Sequence, residues 1–338
     1  MAASAPSAND TSPSSWWSVA RAVALLTVIV AVLLTAFAWP SVRSSVHDVP
    51  IAVAGPAGAV GQISAALEQR LPGGFEITEV ADTAAAEKLI RDRVVYGAID
   101  LGSGTPQVII ASAASVAVAQ TLQGIAAGLG QAQGGDPAAA VRDLAPLPAD
   151  DPRGAGLAAG ALPLVMGGLL AAVLLTRLVR GTTRRVTAAL AFAVTAGLVV
   201  AAILQFWLGS LDGAYWANGG AVALSIAATS VSILGLESLL GVVGLGLGAV
   251  TMMLVGNPFS GTSTAPEMLP GWSGAFGRLL PPGAGGQLLR SVAFFDGRGV
   301  AHPLLVLGCW LAVGVALCLV GALVRRSKAS SGGTSTAL

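Results

Sequence analysis

GGAVALSIAATSVSILGLESLLGVVGLGLGAVTMMLV, residues 219–255, holds one charged residue, Glu237, in 37 positions. As a single helix it would reach about 55 Å at about 1.5 Å per residue, against an apolar membrane core of about 30 Å. The stretch is therefore expected to break, and Gly235-Leu236-Glu237-Ser238 is where a charge marks a turn. Two crossings result, residues 219–236 and 239–255. Glu237 is expected at that turn, in water, where its charge needs no partner.

Outward from it lie four more apolar stretches of crossing length: residues 17–39, interrupted only by Arg21, and residues 156–176, 186–208 and 303–324. Hydrophobic residues fill 54% of the 338 positions and charged ones 10%, where a soluble domain carries about 25% charged. The expected fold class is an α-helical polytopic membrane protein with six transmembrane helices. Orientation follows from basic residues, which are retained in cytoplasmic loops. Arg177, Arg180, Arg184 and Arg185 crowd the loop between the second and third spans, and Arg325, Arg326 and Lys328 follow the last. Six crossings put both clusters and both termini in the cytoplasm, whereas five would carry the basic tail outside. The first span reads as an uncleaved anchor rather than a signal peptide ending near Ala36-Phe37-Ala38, because its apolar run exceeds the roughly 7–15 residues of a signal core. Residues 1–16, rich in Ala, Ser and Pro, read as a disordered cytoplasmic tail, and 325–338 as a second cytoplasmic tail. The expected location is the plasma membrane, with the lipid bilayer as the chain's surroundings.

Residues 41–153 have a soluble composition, with twelve acidic against seven basic residues. They belong in water, as an extracytoplasmic domain inserted between the first two spans. Residues 50–55 read as a buried strand, 61–71 as a helix with Ile63, Leu67 and Leu71 on one face, and 75–80 as an alternating strand. Asp82-Thr83 caps a helix to about Arg93, with Glu87 and Arg91 an i,i+4 pair. Strands at 94–101 and 106–111 complete a small α/β domain. A helical pattern from 114 to about 130 and a Pro/Asp/Gly-rich linker, 134–154, lead back to the membrane.

Several classes are excluded. A net charge of +1 without a basic stripe argues against nucleic acid. His47 and His302 stand apart from any ligand partner, so no metal site is expected. Cys309 and Cys318 are nine helical positions apart, roughly 13 Å, beyond disulfide reach. Gly55-Pro56-Ala57-Gly58-Ala59-Val60-Gly61 joins a strand to a helix but departs from G-x-G-x-x-G, and Pro56 removes a backbone donor, so it reads as a turn. No P-loop exists, and no nucleophile stands beside a base. Neither an enzyme nor a cofactor is expected.

Residues 256–299 are too broken to span yet too apolar for an ordinary loop. They carry Asn257, Pro258 and Gly261, then Pro266 and Pro270, then Pro281 and Pro282, then Arg290. Prolines separating short apolar helices suit a re-entrant hairpin, since irregular backbone at membrane depth must lie against protein or a water-filled cavity. Within the spans, Ser225, Thr229 and Ser232 repeat at i, i+4, i+7 on one helix face. With Gln205 they are candidates for a substrate path. Helix packing is the favoured reading of such hydroxyls, because they serve it directly, as it is of Gly244-x-x-x-Gly248.

One N-terminal span, a large external insertion, and five clustered spans with Asn-Pro-x-Ser-Gly and a proline-rich hairpin before the last resemble a type-2 ABC exporter permease. The stretch AAAEKLIRDRVVYGAI, residues 84–99, is similar to the YhgE/Pip branch of that superfamily. The resemblance implies a homodimer or heterodimer of permeases with a pathway between them. It also implies a separate cytoplasmic ATPase, met in part by the loop carrying Arg177, Arg180, Arg184 and Arg185.

The function expected is a permease subunit of an export system, for a lipid-like or other amphipathic substrate because the bundle holds few charges. The alternative is a membrane-anchored envelope scaffold or receptor that binds a partner through residues 41–153.

Overall fold

The computed structural model describes residues 15–102, 106–133 and 141–332, so most of the expected N-terminal tail lies outside the described residues. Five helices are long and apolar enough to cross a membrane. They are α1 (Trp16–Val42), α5 (Ala155–Leu178), α6 (Thr182–Ala202, continued by a π-helical turn to Trp207), α7 (Tyr215–Leu240) and α11 (Ala301–Gly332). A shorter apolar helix, α8 (Val242–Val250), runs on through a π-helical stretch to Gly256. Two further helices, α9 (Ser273–Gly277) and α10 (Pro281–Phe294), precede α11.

The long apolar stretch does break, but at Gly241 rather than at residues 235–238. Gly241 takes φ +62°, ψ −138°, a conformation open to glycine and costly for a residue with a Cβ. Glu237 stays helical instead. The reversal is tight, because a Cβ on Gly244 would run into the Leu236 carbonyl. The expected pair of crossings is thus unequal: a long α7 and a short partner, Val242–Gly256, which rises about 22 Å at helical pitch.

α7 is the central helix. In its most apolar window 78% of residues are buried, against 28% or less in the other long helices and none in α1. Small residues let its neighbours close in. Gly197 of α6 faces Ala223, Gly168 of α5 faces Thr229, and Gly314 of α11 lies against the Val231–Ser232 backbone. A bundle whose outer surface is lipid gains nothing from apolar contact as such, so close backbone approach supplies the packing.

These contacts also order the helices. Gly197 and Gly219 meet at one end and Arg185 and Glu237 at the other, so α6 and α7 are antiparallel. Ser232 bonds to Trp310 and Ser238 to Leu317, so α11 runs parallel to α7. Between two parallel helices the chain must return. α8 climbs antiparallel to α7, with Gly248 on Ile233, and ends where Gly256 meets Pro282. From there α10 rises, its Gly285 on Ser225 and its Ala293 carbonyl near Gly213.

Residues 46–151 hold the α/β domain. Its strands are β1 (Val49–Ala54), β2 (Phe75–Val80), β3 (Gly97–Asp100), β4 (Gln107–Ile110) and β5 (Val141–Asp143), in the order β2-β1-β3-β4-β5. β1 is parallel to β2 and β3, β4 is antiparallel to β3, and β5 is parallel to β4. β1 reads Val-Pro-Ile-Ala-Val-Ala because both of its faces are covered. Ile51 and Val53 pack under α2 (Ala57–Arg70) and α4 (Val116–Gln133), while Ala52 and Ala54 pack under α3 (Thr83–Arg91). The smaller residues let α3 sit close. Asp82 caps α3 through the Ala85 N–H at 2.8 Å. β5 falls in the expected linker, its three residues being too few to show alternation. β3 starts three residues late, because Arg93 turns back at φ +59° and the Val94 N–H bonds to Leu89.

The domain and the bundle interlock at the end opposite Arg185. Ser45 N–H donates to the Met268 carbonyl at 3.0 Å and the Ser115 hydroxyl to Thr264 at 2.8 Å. Phe295 is buried against the α3 side of the sheet. Asp151 accepts the Ala155 and Gly156 N–H groups at 2.7 and 2.8 Å, so the domain's last carboxylate starts α5.

Candidate functional site

A cavity of about 840 Å³ opens where the domain meets the segment before α11. Its domain wall is Asp48, Pro50, Glu76, Thr78 and residues 93–96, and its bundle wall includes Glu267, Arg278, Leu279, Gln287, His302 and Pro303.

Arg93 stands at the left-handed turn that ends α3, and that reversal carries its guanidinium onto α10. Nη1 donates to the Gln287 carbonyl at 2.9 Å and to Ser291 Oγ at 2.5 Å, and the group lies 5.2 Å over the Phe295 ring. Burial lowers its pKa from the ordinary value, while Tyr96 and Glu267 act in the opposite direction. Tyr96 donates its hydroxyl to Glu267 Oε2 at 2.8 Å. Desolvation, then the Glu267 charge and this bond, push the phenol well above its usual range, so it remains a neutral donor. The other carboxylate oxygen of Glu267 accepts Arg278 Nη1 at 3.1 Å. Arg290, one turn from Gln287 on α10, donates to the Ala114 carbonyl at 3.2 Å and to Thr262 at 2.6 Å.

Three guanidinium groups and one carboxylate therefore share this junction. Arg93 and Arg290 bond to neutral carbonyls and a hydroxyl rather than to acids, so their charge is held but not cancelled. Asp48 and Glu76, both exposed, line the cavity from the sheet. The cavity lining thus mixes cations, Arg93 and Arg278, with the carboxylates Asp48, Glu76 and Glu267, Arg290 lying outside it, while Leu279, about half exposed, and Pro303 carry the lining toward the apolar helices. Such a lining can hold a head group bearing both a phosphate-like anion and a cation.

The segment expected to re-enter is built on close glycine contacts. Pro258 opens one short 3-10 turn that closes at Gly261, φ +65°, and Pro266 opens another. Asn257 accepts the Ser260 hydroxyl at 2.7 Å, and Pro270 accepts that of Ser273 at 2.8 Å. Pro281 and Pro282 start α10, where lost N–H groups cost nothing. The turn before them is tied to α11: Trp310 Nε1 donates to the Leu279 carbonyl at 2.7 Å.

The residues considered for a path are placed separately. Ser225 faces Gly285 of α10, Thr229 faces Gly168 of α5, and Ser232 donates to Trp310 of α11 at 3.0 Å. A cavity of about 20 Å³ lies beside Ser225. Gln205 bridges Gly213 and Asn218 at 2.9 and 3.1 Å.

At the opposite end, Arg177, Arg180, Arg184 and Arg185 lie with Arg325. Glu237 does have a partner: Arg185 Nη1 is 3.1 Å away, and Arg185 also donates to the Val179 and Thr176 carbonyls. Residues 235–238 remain within α7 and the carboxylate is mostly buried, which is why it takes a cation. Arg325 donates to the Ser238 carbonyl and to Thr182 Oγ1.

Sequence reasoning singled out Arg290 but not Arg93, Tyr96, Glu267, Arg278 or His302 as a group. The available signal was Glu267 with Arg278 and Arg290, three charges within an apolar, proline-rich segment. Charges in such a setting are costly unless they are partnered, and so mark sites. Among the described residues no three of His, Cys, Asp and Glu converge to hold a metal. No protein-family model, curated protein or solved structure matches the chain.

Proposed function

We propose that this chain is the membrane subunit of an ABC-type export system for a lipid-like or other amphipathic substrate, working with a separate cytoplasmic ATPase. The observation that carries the reading is the cavity of about 840 Å³ with charged walls at the domain end and Leu279 and Pro303 at its apolar side. An amphipath needs both surfaces at one place. On this reading the domain is extracytoplasmic and the arginine-rich end is cytoplasmic. The fifth crossing is composite, with α8 covering its inner part and α10 its outer part.

The packed interior around α7 argues for a path along the surface between two permease copies rather than through one chain. α1 supports this, since it exposes apolar residues along its whole length. The ATPase meets the loop carrying Arg177, Arg180, Arg184 and Arg185. Purification of the full chain from its native host in mild detergent should bring an ATPase with it, together with a second permease copy. Recovery of a monomer without any ATPase contradicts the proposal.

The second reading is an envelope receptor or scaffold. It is favoured by β2, an edge strand with Glu76, Thr78 and Glu79 exposed, since an open edge can pair with a partner's strand. Under that reading the chain's partner is extracytoplasmic, and the same purification would recover it in place of an ATPase.

A further inference from the structure

The arginine-rich end holds a second concavity, of about 570 Å³, between the start of α6 and the end of α11. Arg180, Gly181, Thr182, Thr183, Arg184, Ala322, Arg325 and Arg326 line it, without a carboxylate. Among the described residues the acid at this end is Glu237, and Arg185 already holds it. Arg325 is also occupied, by Ser238 and Thr182. Arg180, Arg184 and Arg326 take part in none of the salt bridges among the described residues. Their charge is thus available to something outside the chain. α6 adds to it, since its N-cap Gly181 offers no side-chain acceptor and the first-turn N–H groups of a helix favour an anion.

The surroundings decide what kind of anion. On α11, Leu319, Ala322, Leu323 and Arg326 recur at i, i+3, i+4 and i+7 and so share one face. Leu319 and Leu323 are more than half exposed. On α6, Leu190 and Val194 are exposed as well, Leu190 by 38% and Val194 by 54%. The basic hollow therefore stands beside exposed apolar side chains on two helices long enough to cross a membrane. A soluble phosphate or an acidic protein surface has no use for that apolar surface, whereas a lipid tail does.

We infer that this concavity is a binding site for an anionic glycerophospholipid, its phosphate held by Arg180, Arg184, Arg326 and the α6 N-terminus, its acyl chains on Leu319 and Leu323. The inference takes Arg180 and Arg184, which the export reading gives to the ATPase, and it stands if no ATPase is recovered with the chain.

The test uses the full chain in vesicles of phosphatidylcholine, with or without phosphatidylglycerol. Arginine modification by phenylglyoxal is followed by mass spectrometry. Phosphatidylglycerol should slow modification of Arg180, Arg184 and Arg326 about tenfold and leave Arg153, in the turn before α5 at the opposite end, unchanged. Each arginine near an anionic head group is worth about fivefold in affinity. The triple variant Arg180→Gln, Arg184→Gln, Arg326→Gln should therefore retain phosphatidylglycerol on the order of 100-fold less well through detergent purification. Equal modification rates in both vesicles would overturn the inference. So would equal protection by inorganic phosphate in phosphatidylcholine vesicles, or protection that appears only when a soluble protein partner is added.

Discussion

Arg290 carries a full charge on α10 between Gln287 and Phe294, and its partners are two backbone carbonyls, Ala114 of the domain and Thr262 of the segment before α9. One side chain thus ties three parts of the chain. Charge-assisted hydrogen bonds contribute about 1.5–3 kcal/mol each, and a buried carbonyl left without a donor adds to the cost. Arg290→Met keeps the side-chain length and removes both donors, so a loss of about 2–4 kcal/mol is expected in thermal unfolding of the purified chain. Protease resistance of the domain should fall with it. A variant as stable as the parent would mean that the junction is held by its apolar contacts alone. Arg290 was legible as an unusual charge in an apolar, proline-broken segment. Arg93 was not, because its role depends on a left-handed backbone turn at a residue that usually avoids one, and on α10, 194 positions away. Glu237 shows the same limit. Its place near a turn was readable, but its partner depended on the helix continuing to Leu240 and on the packing of α6.

Glycine sets which helices touch. Gly314 lies with its Cα against the Val231–Ser232 backbone, and an added Cβ would come within 2.7–2.8 Å of main-chain atoms that cannot yield. Gly246 on α8 faces open space. Gly314→Val is therefore expected to lower stability by about 1–3 kcal/mol or more, by forcing α11 off α7. Gly246→Val, with the same change in helix propensity, should stay within about 1 kcal/mol of the parent. Thermal unfolding of both in detergent gives the comparison, and equal losses would remove the packing argument. At this scale the long helices could be found from sequence, because twenty apolar residues in a row have one good explanation in water or lipid. Their breaks were harder to locate. The charge at Glu237 pointed to the turn, yet the chain reverses at Gly241, since a reversal is decided by backbone freedom and not by polarity. β5 was missed because three residues show no period.

For the molecule as a whole, α7 and α11 run parallel, so α11 ends where the Arg177–Arg185 loop lies, and the α/β domain sits at the other end. The proposed function needs that loop on the cytoplasmic side and the domain outside, the orientation that the basic residues favour. The composition of residues 41–153 made the domain visible, and the basic clusters made the orientation arguable. What sequence could not supply was the composite return by α8 and α10, since residues 239–255 read there as a full crossing and α10 as part of a re-entrant hairpin. Nor could it supply the two concavities, which form between segments far apart in the chain. The most direct measurement is labelling of intact cells with a membrane-impermeant thiol reagent, in a background with Cys309→Ala and Cys318→Ala. Cysteine is introduced singly by Glu79→Cys, by Thr183→Cys, or by appending it after Leu338. The account predicts that Glu79→Cys reacts in intact cells, while the other two react only after the membrane is opened. Reaction of Thr183→Cys or of the appended cysteine in intact cells would contradict it.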